Sequence, residues 1–232
     1  MATTNGYGAL WDMDGTLVDT AEPHFNAWVT LARDLGRTFT RADFASTFGR
    51  RNPEIIRQVF DPAASDKKVA DLGARKEELY KTEARHGVTL LPGVHALLEG
   101  LHAAGFKQAI ASSAPRGNLD LILQLTHIEP FLEAVVSMED TQRGKPDPQV
   151  FLIAAAKLGL PPSRCLVFED AIAGVEAAKA AGMKCVAVTF VGHHDAARLK
   201  AAGADRVVKN LEEMTVWDVE DLLGWRGTSD DR

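Results

Sequence analysis

Asp12 and Asp14 stand two residues apart at the end of a short apolar run, Ala9-Leu10-Trp11, and Gly15 and Thr16 follow directly. Such a run reads as a buried strand with a turn behind it. Side chains at i and i+2 of a strand point the same way, so both carboxylates can face one spot beyond the strand end. Two like charges that close need a cation or a shared proton. The pair alone fits either a solvated strand end or a metal site holding a nucleophile and an acid/base.

Three further segments favour the site. Ser112 and Ser113 close the run Ala109-Ile110-Ala111. A hydroxyl at a strand end can donate to a phosphate oxygen, although Ser112 taken alone is also an ordinary turn serine. Gly144-Lys145-Pro146-Asp147-Pro148 pins a lysine on a stiff loop, with Asp147 and Pro148 as N-cap and first residue of a helix. Glu169 and Asp170 end the run Leu166-Val167-Phe168, and paired acids suit a hard cation such as Mg²⁺. Asp12, Asp14, Glu169 and Asp170 carry four negative charges, of which a divalent cation and Lys145 cancel three. A phosphate dianion could then approach Asp12. Asp12 would attack phosphorus, and Asp14 would protonate the leaving oxygen and later deprotonate the attacking water or hydroxyl.

The elements that must position these residues are legible as runs. Apolar stretches at 108–111, 134–137, 166–168, 186–188 and 206–208 alternate with helical patterns at 94–104, 118–125, 148–158 and 171–181. Gly105, Gly159 and Gly182 sit where C-cap glycines belong. The alternation predicts an α/β fold with a parallel sheet flanked by helices, and sites beyond the carboxyl ends of its strands. Residues 20–88 carry helical periodicity only, at 21–35, 41–48, 53–60 and 66–85. They form an all-helical cap domain inserted between 1–19 and 89–232, a candidate lid.

At 232 residues, 46% hydrophobic and 25% charged, the chain can build a sizeable core. The net charge of −6 and the lack of a basic tract argue against nucleic acid and anionic membrane as partners. No apolar run approaches the roughly 18 residues of a membrane span. The N-terminus shows no signal-peptide pattern, so a cytoplasmic protein is expected. Cys165 and Cys185 read as buried reduced thiols. His193-His194-Asp195 could bind a metal but reads better as a helix start with Asp195 as N-cap. Trp217 and Trp225 are expected to pack on the core beside a short C-terminal helix, and the tail 227–232 to fray. The expected partner is a small phosphorylated molecule, and the expected state a monomer or weak dimer.

With D-x-D-G-T at 12–16, Ser112, G-K-P-D-P at 144–148, and E-D at 169–170 followed by A-I-A-G-V-E-A-A-K-A-A-G-M, the chain resembles the haloacid dehalogenase-like superfamily of phosphotransferases. The resemblance implies a Rossmann-like core with a helical cap. It implies Mg²⁺ held by Asp12, the backbone carbonyl of Asp14, and Asp170, with Glu169 close by. It assigns Asp12 as nucleophile, Asp14 as acid/base, and Gly15, Thr16, Ser112, Ser113 and Lys145 to the phosphate. The stretch 19–28 looks like the β-phosphoglucomutase subgroup, in which Thr20 and His24 would assist the acid/base. Lys76, Arg50, Arg51 and Arg116 are candidate cap and substrate residues. The chain departs from that subgroup where a serine, lysine and asparagine are expected, since Ala114, Pro115 and Arg116 stand there. Asn52 occupies the place of an expected cap arginine. Weakened distal-phosphate binding favours a phosphatase of sugar phosphates over a mutase interconverting β-glucose 1-phosphate and glucose 6-phosphate. A non-catalytic phospho-ligand sensor is a third reading, disfavoured because every motif carboxylate is present.

Overall fold

The computed structural model describes residues 6–225. Its framework is a six-stranded parallel sheet: β1 (Gly8–Trp11), β2 (Lys107–Ala111), β3 (Ala134–Val136), β4 (Cys165–Glu169), β5 (Lys184–Val188) and β6 (Arg206–Val208), in the order β3-β2-β1-β4-β5-β6. The chain builds outward from β1 on one side and then from β4 on the other. The boundary between them is the switch point at which ligands bind in open parallel sheets. Trp11 pairs with Ile110 of β2 and Phe168 of β4, so the three carboxyl ends lie in one row. The Asp12 amide still donates to the Phe168 carbonyl at 3.0 Å, which sets Asp12 beside Glu169.

Alternation along the strands feeds two cores. Ala9, Trp11, Leu166 and Phe168 face one side, where Leu97, Leu101, Ile122 and Val219 cover them. Leu10, Cys165 and Val167 face the other, against Val150, Phe151, Ala154, Val175 and Ala178. Trp11 and Phe168 stack at 4.0 Å with their planes 10° apart. Such a pair is worth about 0.5–1.5 kcal/mol beyond its buried area, and here it stiffens the two strands that carry the acids.

Four helical segments fall between β1 and the rest of the sheet: α1 (Ala21–Asp34), α2 (Arg41–Thr47), α3 (Asn52–Ile55, continued by a π-helical turn Ile56–Phe60) and α4 (Asp66–Ala84). They own a separate apolar cluster around Trp28, Leu31, Phe44, Phe48 and Phe60. Phe39 stacks between Trp28 at 5.8 Å and Phe60 at 5.9 Å. Six helices complete the sheet layers: α5 (Val94–Ala103), α6 (Arg116–Thr126), α7 (Gln149–Lys157), α8 (Ile172–Ala180), α9 (Ala196–Ala201) and α10 (Val216–Leu222).

Departures from the sequence reading are local. Helix α7 starts at Gln149 rather than Pro148, and Asp147 Oδ1 accepts from the Gln149 amide at 3.0 Å. Asp195 does cap α9, accepting from the Arg198 amide. Trp225 packs near Tyr7 and Phe106, but Trp217 is 62% exposed and does not pack on the core. It lies two residues from the buried Val219, and on a helix that spacing points it to the opposite face. Both cysteines are buried and free. Among the described residues no helix is long and apolar enough to cross a membrane. The expected frayed tail lies outside the described residues.

Candidate active site

At the ends of β1 and β4, three acids meet one lysine. Lys145 Nζ donates to Asp12 Oδ1 and to Glu169 Oε1, both at 2.6 Å. Asp12, Glu169 and Asp170 each turn a carboxylate oxygen into a space where all three lie within 4.8 Å of one another, and all three are buried. Burial lifts the Asp12 pKa to about 7, with Lys145 pulling against it and Glu169 and Asp14 adding to it. Burial and the same neighbouring carboxylates hold Asp170 well above the usual range. Burial would depress the Lys145 ammonium, but Asp12 and Glu169 outweigh it and raise its pKa. Buried carboxylates driven toward protonation are what a hard divalent cation would relieve, so this oxygen donor set fits Mg²⁺.

Glycines make room for the cluster. Gly15 has φ +84°, and a Cβ there would overlap the Asp170 carboxylate. Gly174 lies inside α8, and a Cβ there would overlap the Glu169 carboxylate. Glu169 is fixed further by the Asp170 and Ala171 amides, each donating to Oε2 at 2.9 Å.

Asp14 meets different surroundings. Its Oδ1 accepts from the Thr20 hydroxyl and lies 3.4 Å from His24 Nε2. Thr20 stands at the N-cap of α1 yet makes no side-chain cap bond, its hydroxyl being given to Asp14. Lys76 Nζ lies 2.7 Å from His24 Nδ1 and 3.0 Å from Glu77 Oε1. With Lys76 donating to Nδ1, Nε2 carries the imidazole proton and points at Asp14. Burial would raise Asp14, but the hydrogen bonds from His24 and Thr20 and the Lys76 charge hold it below the usual range. Burial and Lys76 also push His24 down, toward the neutral ring. The ring stacks on Tyr80 at 4.0 Å.

A cleft separates the insertion from the strand ends. Asp12, Asp14, Ser112, Ser113, Lys145 and Glu169 line its core side, and His24, Arg50 and Lys76 line its insertion side. Ser112 Oγ accepts from the Ala114 amide at 3.0 Å. Thr16 is wholly buried, and its hydroxyl has no partner among the described residues. Two predicted substrate residues are placed elsewhere. Arg51 turns to the core and donates to Thr141 and to the Arg143 carbonyl at 2.9 Å. Arg116 is exposed on α6 and pairs with Asp120 at 2.8 Å. Each is held by other groups of the protein, and neither lines the cleft.

Sequence reasoning missed the buried Glu77, which also lines the cleft. Its carboxylate accepts from Lys76, from Asn52 of α3 and from Asn118 of α6. It missed Trp28, Phe44 and Phe48 as cleft walls as well. Their helical spacing signals only that they are apolar.

Sheet, insertion and acid cluster together define a Rossmann-like enzyme with a helical cap over its site. The chain belongs to the haloacid dehalogenase-like hydrolase family, whose family model matches residues 9–188. Hexitol phosphatase A of Escherichia coli (strain K12) is 36% identical over 211 residues, covering 90% of this chain and 93% of that protein. The β-phosphoglucomutase of Bacillus subtilis (strain 168) is 33% identical over 216 residues, covering 89% of this chain and 91% of that protein. The solved structure of a HAD hydrolase, family IA, variant 3, from Entamoeba histolytica superposes with a TM-score of 0.86 at 28% identity, over 94% of this chain and 99% of that one.

Proposed function

We propose that the protein is a Mg²⁺-dependent phosphatase of small phosphorylated metabolites, with sugar phosphates as the substrate class. The observation that carries the reading is the split between two neighbouring carboxylates. Asp12 sits with Lys145 in the cation pocket, and Asp14 is turned to Thr20 and His24. Environments that separate two acids assign their roles.

An Asp12 oxygen attacks phosphorus, the ester P–O bond breaks, and Asp14 gives its proton to the leaving oxygen. Asp12 then carries the phosphoryl group. Asp14, now a carboxylate, takes a proton from water, which attacks phosphorus and releases phosphate with Asp12 restored. A bound dianion raises the proton affinity of Asp14 and so populates its acid form when substrate arrives. After the alcohol leaves, Thr20 and His24 favour the base form. Lys145 and Ser112 hold the phosphoryl oxygens, and the insertion excludes bulk water. Mg²⁺ bound by Asp12, Glu169 and Asp170, with the Asp14 backbone carbonyl that the family resemblance adds, would neutralise charge on the transferring group.

The bonding of Thr20 and His24 to Asp14 supports a second reading, a β-phosphoglucomutase. One panel separates the two: sugar monophosphates with Mg²⁺, with and without a bisphosphate primer, assayed for free phosphate and for isomerised sugar. Phosphate release that is lost in Asp12→Asn supports the phosphatase. Primer-dependent isomerisation with little phosphate release replaces it with the mutase.

A further inference from the structure

His24 can serve Asp14 only if its ring keeps one tautomer and one direction. Its Nε2 lies 3.4 Å from Asp14 Oδ1, and its Nδ1 lies 2.7 Å from Lys76 Nζ. The partner of one imidazole nitrogen decides whether the other carries the proton. An ammonium has donors only, so Lys76 at Nδ1 leaves the proton on Nε2, facing Asp14. Tyr80 stands four residues beyond Lys76, on the same face of α4. Its ring stacks on His24 at 4.0 Å with the planes 13° apart. Tautomer and ring plane thus both depend on α4.

Lys76 must itself be held, and the group that holds it is Glu77. The lysine is 2% exposed. Besides His24, its ammonium meets the rings of Trp28 and Tyr80, with centroids 5.4 and 5.1 Å away, and Glu77 Oε1 at 3.0 Å. Among the described residues Glu77 is the one carboxylate hydrogen-bonded to it. Glu77 is fixed from two sides. Asn52 of α3 donates to the same Oε1, and the buried Asn118 of α6 donates to Oε2. A chain of bonds therefore runs from α6 through Glu77, Lys76 and His24 to Asp14, and it crosses from the core into the insertion. A reacting group keeps its geometry only when the residues behind it are held in turn. Without the carboxylate, a buried ammonium loses its counter-charge and one of the two partners that aim it.

We infer that Glu77 is a positioning residue for the acid/base step: it fixes Lys76, and through Lys76 the His24 tautomer that presents an N–H to Asp14. The inference rests on the acid/base role proposed for Asp14 and adds a residue that acts on it from two side chains away.

Two measurements test it. Glu77→Gln keeps the shape of the side chain but loses its charge and one of its accepting oxygens. In two-bond ¹H–¹⁵N correlation spectra near neutral pH, His24 of the wild type should be the Nε2–H tautomer, its signals identified by their loss in His24→Ala. In Glu77→Gln the tautomers should mix. The second measurement is a double-mutant cycle on phosphate release, with Mg²⁺ and the sugar monophosphate that the wild type turns over fastest. Glu77→Gln should lower kcat by about tenfold or more, a small displacement being enough for that, and leave KM within about threefold. In the His24→Ala background the same change should cost less than about twofold, because the route to Asp14 is already cut. A merely structural role would multiply the two losses and leave the tautomer alone, and either result overturns the inference while the phosphatase stands. So does a raised KM with kcat intact, which makes Glu77 a substrate contact. If Glu77→Gln does not fold, Asn118→Ala removes the core donor, and the same two measurements on it decide. If no ester releases phosphate, the phosphatase reading falls, and the spectra alone decide whether Glu77 sets the His24 tautomer.

Discussion

Asp12 and Asp14 are two residues apart and their pKa values are shifted in opposite directions, because one is buried among acids and the other is embraced by donors. Asp14→Asn should therefore lower kcat by about 10²–10⁴-fold, the usual worth of a placed acid/base, while Mg²⁺ and phosphate still bind. Steady-state rates and a phosphate titration together check both halves. A second residue-scale prediction concerns Gly174. Replacing a helical glycine by alanine ordinarily gains about 0.5–1 kcal/mol. Here the new methyl would strike the Glu169 carboxylate, so Gly174→Ala should instead lose about 1–3 kcal/mol by urea unfolding. At this scale the sequence spoke wherever chemistry is local. Asp12, Asp14, Lys145, Glu169 and Asp170 stand in short strings whose neighbours announce a strand end or a stiff turn. Glu77 was silent because its partners Asn52 and Asn118 come from 25 and 41 residues away, and a lone glutamate on a charged helix reads as solvated surface.

Elements were legible because each carries its own period. Short apolar runs and the Ala-rich helices between them marked the sheet and its layers, and residues 20–88 carried helical periodicity only. How the insertion meets the core was not legible, since those contacts pair residues far apart in sequence. Glu77 bonds Asn118, the ring of His193 lies 4.2 Å from that of Phe48, and Arg51 reaches Thr141 and Arg143. The last contact bears on function. Arg51 grips the segment that leads into Lys145, and its side chain packs so closely on Gly144 that a Cβ there would meet Arg51 Nε at 2.9 Å. The insertion thus packs directly on the segment that precedes Lys145. Arg51→Ala should loosen that segment and lower kcat/KM by about tenfold, a small displacement at a reacting centre being enough for that. Arg51→Lys should not restore it, because one ammonium cannot reproduce a planar fork aimed at several oxygens. The check is kcat and KM for all three proteins, with thermal melts to show that they fold.

For the whole molecule, the cost of assembling the acid cluster falls on the folded state and depends on pH. Asp12 titrates at about 7 when folded and near 3.8 otherwise, and Asp170 is raised as well. A folded state that holds protons which the unfolded chain has released loses stability as pH rises between those two values. Carboxylates held below their ordinary range, such as Asp205 with Lys179 and Lys184 beside it, act the other way, but only in acid near their own titration. His24, His193 and His194, each held below its ordinary value by burial, oppose the cluster between about pH 5 and 7, so the cluster's share of the metal-free slope is read as the change in that slope when one of its acids is removed. Mg²⁺ competes with those same protons. Its stabilisation should be small at pH 5.5, grow toward pH 7 and level off above it, since ligand binding to the folded state adds stability as RT ln(1 + [L]/Kd). Asp170→Asn removes one charged ligand and one like-charge repulsion together. Its metal-free melting temperature should rise more, or fall less, from pH 5.5 to 7 than that of the wild type, and most of the Mg²⁺ shift should be abolished, as read by calorimetry with and without chelator. A Mg²⁺ shift that is equal at both pH values, or that survives in Asp170→Asn, would place the cation away from these carboxylates.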